Sequence, residues 1–344
     1  MRAVVIHSAK DLRVETVETV ALGPDDVEVR IEAGGICGSD LHYYQVGGFG
    51  VIRIKEPMIL GHEVAGVVAK LGANVTQLKT GQRVAVSPSR PCGQCRYCHE
   101  GKQQHCLNMR FYGSAMRFPH VQGAFREVLV TSAEQCHPVA DGLTAGEAAM
   151  AEPLAVCLHA ARQAGPLLGR RVLVTGSGPI GALCIMAARR AGAAEIVATD
   201  VADKALAMAA RIGADRTINV ATAAQDLAAL GRDKGTFDVL FEASGNGRAL
   251  VSALEVLRPG GIIVQVGLGG DVTLPINTIV AKEIQLRGTF RFHEEFALAV
   301  ELMGKGLIDV KPLISATLPF DRATEAFELA GDKSKSMKVQ LAFG

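Results

Sequence analysis

The sequence predicts an α/β protein made of a β-rich domain and a doubly wound parallel-sheet domain. Three observations carry that prediction. The length is 344 residues, which at about 150 per domain gives roughly two. Short apolar or alternating runs broken by Gly and Pro fill the chain up to Val130, and a strand–helix alternation begins at Arg171. In the first part RAVVI, VEVRIEA, EVAGVVAKLG, QRVAVS and GAFREVLV have the spacing of a compact β domain. Around Gly142 the texture turns to Ala-rich helical stretches. From Arg171, RVLVT reads as a buried strand, PIGALCIMAARRAG as a helix, EIVATD as a strand, DKALAMAARIG as a helix and DRTINV as a strand. FDVLFEAS, the helix GRALVSALEVL and the strand GIIVQVG continue the rhythm, with RPGG as the turn that stops the helix. EIQLRGTF is expected to close the parallel sheet. HEEFALAVELMGKG and DRATEAFELAGD read as helices, and MKVQLAF as a final strand.

Composition removes several classes of function. Apolar residues make up 49% of the chain, enough to fill more than one core, so a disordered chain or a disulfide mini-scaffold is excluded. Lys and Arg number 36 against 35 Asp and Glu, a net charge of +1, so no global field would hold nucleic acid or an anionic membrane. No apolar run reaches the length of a membrane span, and MRAVVIHSAKDLRVETVE meets charges too early for a signal-peptide core. A cytoplasmic protein with no nucleic-acid or membrane partner is expected. Eight cysteines in such a chain call for an explanation other than disulfides.

The sequence RVLVT-Gly176-Ser177-Gly178-Pro179-Ile180-Gly181 has a strand before it and a helix after it, and Asp200 ends the next strand about 20 residues on. This is the dinucleotide fingerprint of a Rossmann domain. Gly176 permits the turn, Gly178 lets the backbone approach a pyrophosphate, and Gly181 lets helix and strand pack closely. Pro179 suits the first helical turn, where the exposed N–H groups favour an anion. Asp200 should accept hydrogen bonds from an adenosine ribose and repel a 2′-phosphate, which favours NAD. Lys204 leaves NADP open, although a helix lysine also reads as a solvated charge. Val266 and Gly267 follow a parallel strand and are expected beside nicotinamide, unless they form a simple strand exit.

Cys92, Cys95, Cys98 and Cys106 have the spacing of a closed four-thiolate shell for one structural Zn²⁺. A zinc-ribbon reader of nucleic acid is the rival, encouraged by Arg90, Arg96, Lys102 and Arg110. Cys37, with Ser39 and His42 close behind it, then His62-Glu63 and then Glu152, offer a mixed shell with room for an open position. Taken singly, Cys37 also reads as a small buried hydrophobe, His62 as a core histidine and Glu152 as the acid of a helix start. Cys136, Cys157 and Cys184 read as buried thiols.

CGSDLHYY, GHE, the four-cysteine loop, AEPLAVCLHA and GSGPIG, in this order over essentially the full chain, resemble the zinc-dependent medium-chain alcohol and polyol dehydrogenases. The resemblance implies a GroES-like catalytic domain from both chain ends, residues 1–145 and 291–344, with a structural zinc loop at 90–108. A Rossmann NAD(P)-binding domain at 146–290 goes with it. It also implies a catalytic zinc on Cys37, His62 and Glu63, with Glu152 as an additional or exchanging ligand. Simple alcohol dehydrogenases carry a cysteine where this chain has Glu152, so the match is to the polyol branch. SDLHYYQVGGFG, MRFYGSAMRFPHVQGAF and LRGTFRF carry it further, towards enzymes of sugar acids.

The implied reaction moves a hydride reversibly between NAD, or NADP, and a small sugar acid or polyol. In it Ser39 bonds the reacting oxygen and His42 passes the proton outward. Tyr43, Glu152, Phe290 and Arg291 are the implied substrate contacts, the last two also near the cofactor. A sugar acid further needs a cation for its carboxylate, for which Arg291, Arg117 and, more weakly, His120 are candidates. A neutral polyol or threonine dehydrogenase is the alternative among enzymes. A metal- and dinucleotide-binding redox sensor without turnover is the alternative outside them. A homodimer or homotetramer joined at edge strands of the parallel sheet is expected.

Overall fold

The computed structural model describes residues 1–344. They form two compact units, Met1–Glu152 with His293–Gly344, and Pro153–Phe292. The first boundary falls later than residue 145 because the short helix Ala145–Ala149 packs on the strands Asp26–Gly35, Glu63–Leu71 and Arg83–Val86 of the first unit.

That unit is organised by a seven-stranded sheet in the order Cys136–Pro138, Arg83–Val86, Glu63–Leu71, Asp26–Gly35, Lys338–Ala342, Ile314–Pro319. The seventh strand, Val128–Ser132, also pairs with Asp26–Gly35. The last strand of the chain thus lies beside one of the first, Leu341 opposite Gly34. Phe125, Phe327, Leu129, Val64 and Leu341 are among the apolar side chains of its core. A helix over Gly38–Val46 interrupts this β-rich stretch, where the sequence reading expected none. Its start is fixed locally, since the Asp40 side chain accepts the Cys37 backbone N–H at 3.0 Å, and Gly47, in the left-handed region, ends it.

The second unit holds six parallel strands in the order Arg216–Asn219, Glu195–Asp200, Arg171–Thr175, Phe237–Glu242, Leu257–Gln265, Gln285–Gly288. This is the doubly wound order, which leaves ligand-binding loops outside the carboxyl ends of the strands. The RPGG segment corrects the sequence reading. It is a bulge inside the strand Leu257–Gln265, because Leu257 already pairs with Phe237 and Ile262 with Val239. No helix is long and apolar enough to cross a membrane.

Candidate active site

The strand Asp26–Gly35 ends with Gly35 opposite Glu63, and Cys37 follows as the cap of the helix Gly38–Val46. This pairing brings Cys37 to His62 and Glu63, whose candidate ligand atoms all lie within 4.8 Å of one another. A thiolate, an imidazole and a carboxylate are donor types that zinc takes. His62 and Glu63 are buried, and Nδ1 of His62 has no hydrogen-bond partner, a costly state for a buried nitrogen. The residues present therefore fit a zinc ion.

Charges around this cluster are arranged to need cations. Burial pushes the Cys37 thiol up to about 12, with Glu63 acting in the same direction. Burial likewise pushes Glu152 up to about 8, against the pull of His62. Glu152 is buried close enough to feel Cys37, His62 and Glu63, yet it stands outside the three-residue cluster. Two further groups complete the setting, and neither was singled out from the sequence. Asp40, buried, accepts the N–H groups of Cys37 and Gly61 at 3.0 and 3.2 Å, and its Oδ1 lies 3.7 Å from Nδ1 of His62. Lys338, also buried, puts Nζ at 2.8 Å from both Glu63 carboxylate oxygens and donates to the Ile36 carbonyl. Burial alone would lower Lys338, but Glu63, Cys37 and Glu152 more than reverse this and hold it above its ordinary value.

Cys92, Cys95, Cys98 and Cys106 form the second cluster. Their closest sulfurs, Cys95 to Cys98 and Cys95 to Cys106, are 3.6 and 3.9 Å apart. Disulfide sulfurs would touch at about 2 Å, whereas the edge of a tetrahedron with Zn–S bonds of about 2.3 Å is about 3.8 Å. Backbone N–H groups of Cys92, Leu107 and Asn108 point at the sulfurs of Cys106, Cys95 and Cys106. Such donors, first those of Cys98 and Leu107, bring the Cys95 thiol down to about 6. This donor set fits a closed zinc shell.

In the second unit Gly178 caps the helix Pro179–Arg190, with Pro179 in its first turn and Ile180 behind it. Gly176 has φ +83°, and a side chain on Gly181 would strike the Gly176 carbonyl. Nothing lies within 4 Å of where a Cβ on Gly178 would sit, the open approach a phosphate needs. Asp200 is held by the N–H groups of Ser177 (2.7 Å), Val201 (2.7 Å) and Ala202 (3.0 Å), beside the turn. Lys204 is exposed. Val266 and Gly267 leave the strand Leu257–Gln265 with their N–H groups bonded to the Glu242 carbonyl.

The remaining candidates divide. Ser39 lies in the first turn of the helix Gly38–Val46, and His42, three residues on, is exposed near Phe49. Tyr43 is buried, and its hydroxyl accepts the Ala115 N–H at 3.0 Å. The Arg291 guanidinium stacks over Phe290. Arg117 instead donates to the Leu107 carbonyl at 2.6 Å, steadying the four-cysteine loop. His120 has one ring nitrogen on the Lys55 N–H and the other on the Arg117 carbonyl.

Residues 23–141 match the alcohol dehydrogenase GroES-like domain, and residues 179–305 match the zinc-binding dehydrogenase domain. An Escherichia coli L-idonate 5-dehydrogenase (NAD(P)(+)) is 46% identical over 329 residues, 95% of each chain. A sorbitol dehydrogenase of Gallus gallus is 37% identical over 343 residues, 98% of this chain and 95% of that one. Among solved structures, an L-idonate 5-dehydrogenase from Escherichia coli superposes with a TM-score of 0.96 at 45% identity, over 99% of this chain and 98% of that one.

Proposed function

We propose that this chain, which belongs to the zinc-binding alcohol dehydrogenase family with a GroES-like domain, is an NAD(P)-linked dehydrogenase that interconverts L-idonate and 5-keto-D-gluconate. The gathering of Cys37, His62 and Glu63 carries the reading, because it supplies three metal donors and leaves a position for substrate. Cys37, His62 and Glu63 would hold a zinc that supplies Lewis acidity, the glycine turn and Asp200 would hold the nicotinamide cofactor that serves as hydride acceptor, and Cys92, Cys95, Cys98 and Cys106 would hold a second zinc that braces their loop.

The chain's own residues then handle position and protons. Ser39 relays the proton, its Oγ accepting a hydrogen bond from the substrate hydroxyl while giving its own proton onward towards the imidazole of His42, on the same helical turn, which releases it to solvent. Glu152, buried beside the cluster, offers a carboxyl group that can hydrogen-bond a polyol hydroxyl. Arg291 supplies a guanidinium suited to the carboxylate of a sugar acid. Steady-state rates on L-idonate, 5-ketogluconate, sorbitol and threonine test the reading. The expected order puts idonate well ahead of the others, and equal or better rates on sorbitol would replace it with a neutral-polyol enzyme, the reading that the sorbitol relatives favour.

For the cofactor, Asp200 beside the glycine turn supports NAD as the preferred partner. Asp200→Ser is expected to move the ratio of kcat/KM for NAD over NADP by about tenfold or more towards NADP, since about 1.4 kcal/mol of lost repulsion suffices. An unchanged ratio removes Asp200 from cofactor choice.

We further propose a homodimer formed at the strand Gln285–Gly288. It pairs on one side only, with Leu257–Gln265. Ile276, Val280 and Leu286 are 60%, 69% and 49% exposed, an apolar cost that a second copy paired edge to edge would relieve. Light scattering should give a dimer or a multiple of it, and Leu286→Lys should shift the mass towards one chain.

A further inference from the structure

One buried carboxylate takes no part in the chemistry above. Glu242 is the last residue of the strand Phe237–Glu242 and is fully buried. Its Oε1 accepts the Ser244 N–H at 3.0 Å, the Ser244 hydroxyl and the Thr175 hydroxyl at 3.3 Å. Its Oε2 accepts the Gly245 N–H at 3.0 Å and Nε2 of Gln265 at 2.7 Å. The other hydrogen of that Gln265 amide goes to the Gly267 carbonyl at 2.8 Å. The Glu242 main-chain carbonyl takes the N–H groups of Val266 and Gly267 at 2.9 and 2.8 Å. One residue thus ties together the carboxyl ends of three neighbouring strands and fixes the shape of two loops, 243–247 and 265–269.

A surface charge would not be built this way. Burying a carboxylate is costly, and here the cost is met by aiming five donors at it, so the loops cannot relax without stranding the charge. In a doubly wound sheet each half serves one mononucleotide. The GSGPIG turn and Asp200 follow the strands Arg171–Thr175 and Glu195–Asp200 and belong to the adenosine half. The loops after Phe237–Glu242 and Leu257–Gln265 fall to the other half.

We propose that Glu242 is a positioning residue that holds these two loops in the form that receives the nicotinamide half of the cofactor, without itself touching it. The inference rests on the dinucleotide reading above. The experiment titrates NADH by fluorescence and AMP by calorimetry with the full-length wild-type chain, Glu242→Gln and Ser244→Ala. Glutamine keeps the shape but turns an NH2 towards backbone donors. Losing hydrogen bonds to a charged group should therefore weaken NADH by about tenfold or more while AMP stays within about twofold. Ser244→Ala, which removes one hydroxyl donor to Glu242 and the acceptor of the Asn246 N–H but leaves the carboxylate its four other donors, should show the same split at about threefold. Equal weakening of both ligands would make Glu242 a general brace of the unit and overturn the proposal, as would unchanged NADH binding. A wild-type chain that binds neither NADH nor NADPH would overturn the dinucleotide reading itself, a failure visible before any variant is compared.

Discussion

His62→Ala should lose one bound zinc and nearly all turnover together. Metal analysis of the purified variant should show the zinc of the four-cysteine loop retained, because that loop has its own complete donor set. The loss of kcat/KM should exceed the roughly 10–100-fold that follows removal of a residue merely supporting a metal ligand. Asp40→Asn provides the comparison. Asp40 accepts the N–H groups of Cys37 and Gly61, so it steadies the backbone that carries the metal donors, and its loss should fall inside that range with zinc still bound. If His62→Ala keeps both its metal and its rate, the cluster of Cys37, His62 and Glu63 is not the reactive centre.

Lys338→Met should be the most destabilising single change near the site. The Lys338–Glu63 pair is buried on both sides, and removing the lysine strands a carboxylate, a defect that typically costs about 3–5 kcal/mol. The size of the loss should depend on metal. With zinc bound, a second cation remains beside Glu63 and absorbs part of the penalty, whereas the chelator-treated protein has none. Denaturant melts of the variant and the wild type, each with and without chelator, check this. Equal losses in both states would show that Lys338 and the metal do not share the charge of Glu63.

What was legible in the chain follows from how local each signal is. The glycine turn with Asp200 and the four cysteines are written within short stretches, and their geometry follows from spacing alone. Cys37, His62 and Glu63 needed the CGSDLHYY and GHE motifs, because only the pairing of two strands brings them together. Lys338 was invisible. It reads as an ordinary strand-end charge in MKVQLAF, and its partner lies 275 positions earlier. Asp40 hid inside CGSDLHYY, where no helix was expected, and Glu242 as one acid at a strand's end. RPGG misled because Pro and Gly mark both turns and bulges, and the choice is made by the partner strand. Arg117 and His120 carry chemistry that suits a ligand as well as a loop, and the backbone carbonyls they bond could not be read from the sequence.

The first unit takes its sheet from both ends of the chain, with Lys338 in the final strand. During synthesis, domains fold as they emerge from the ribosome. The parallel-sheet unit is complete while the tail is still being made, but Glu63 has no buried cation until the closing strand is released. A polypeptide cut off before Lys338 would therefore keep its dinucleotide loop and leave its reactive pocket unfinished.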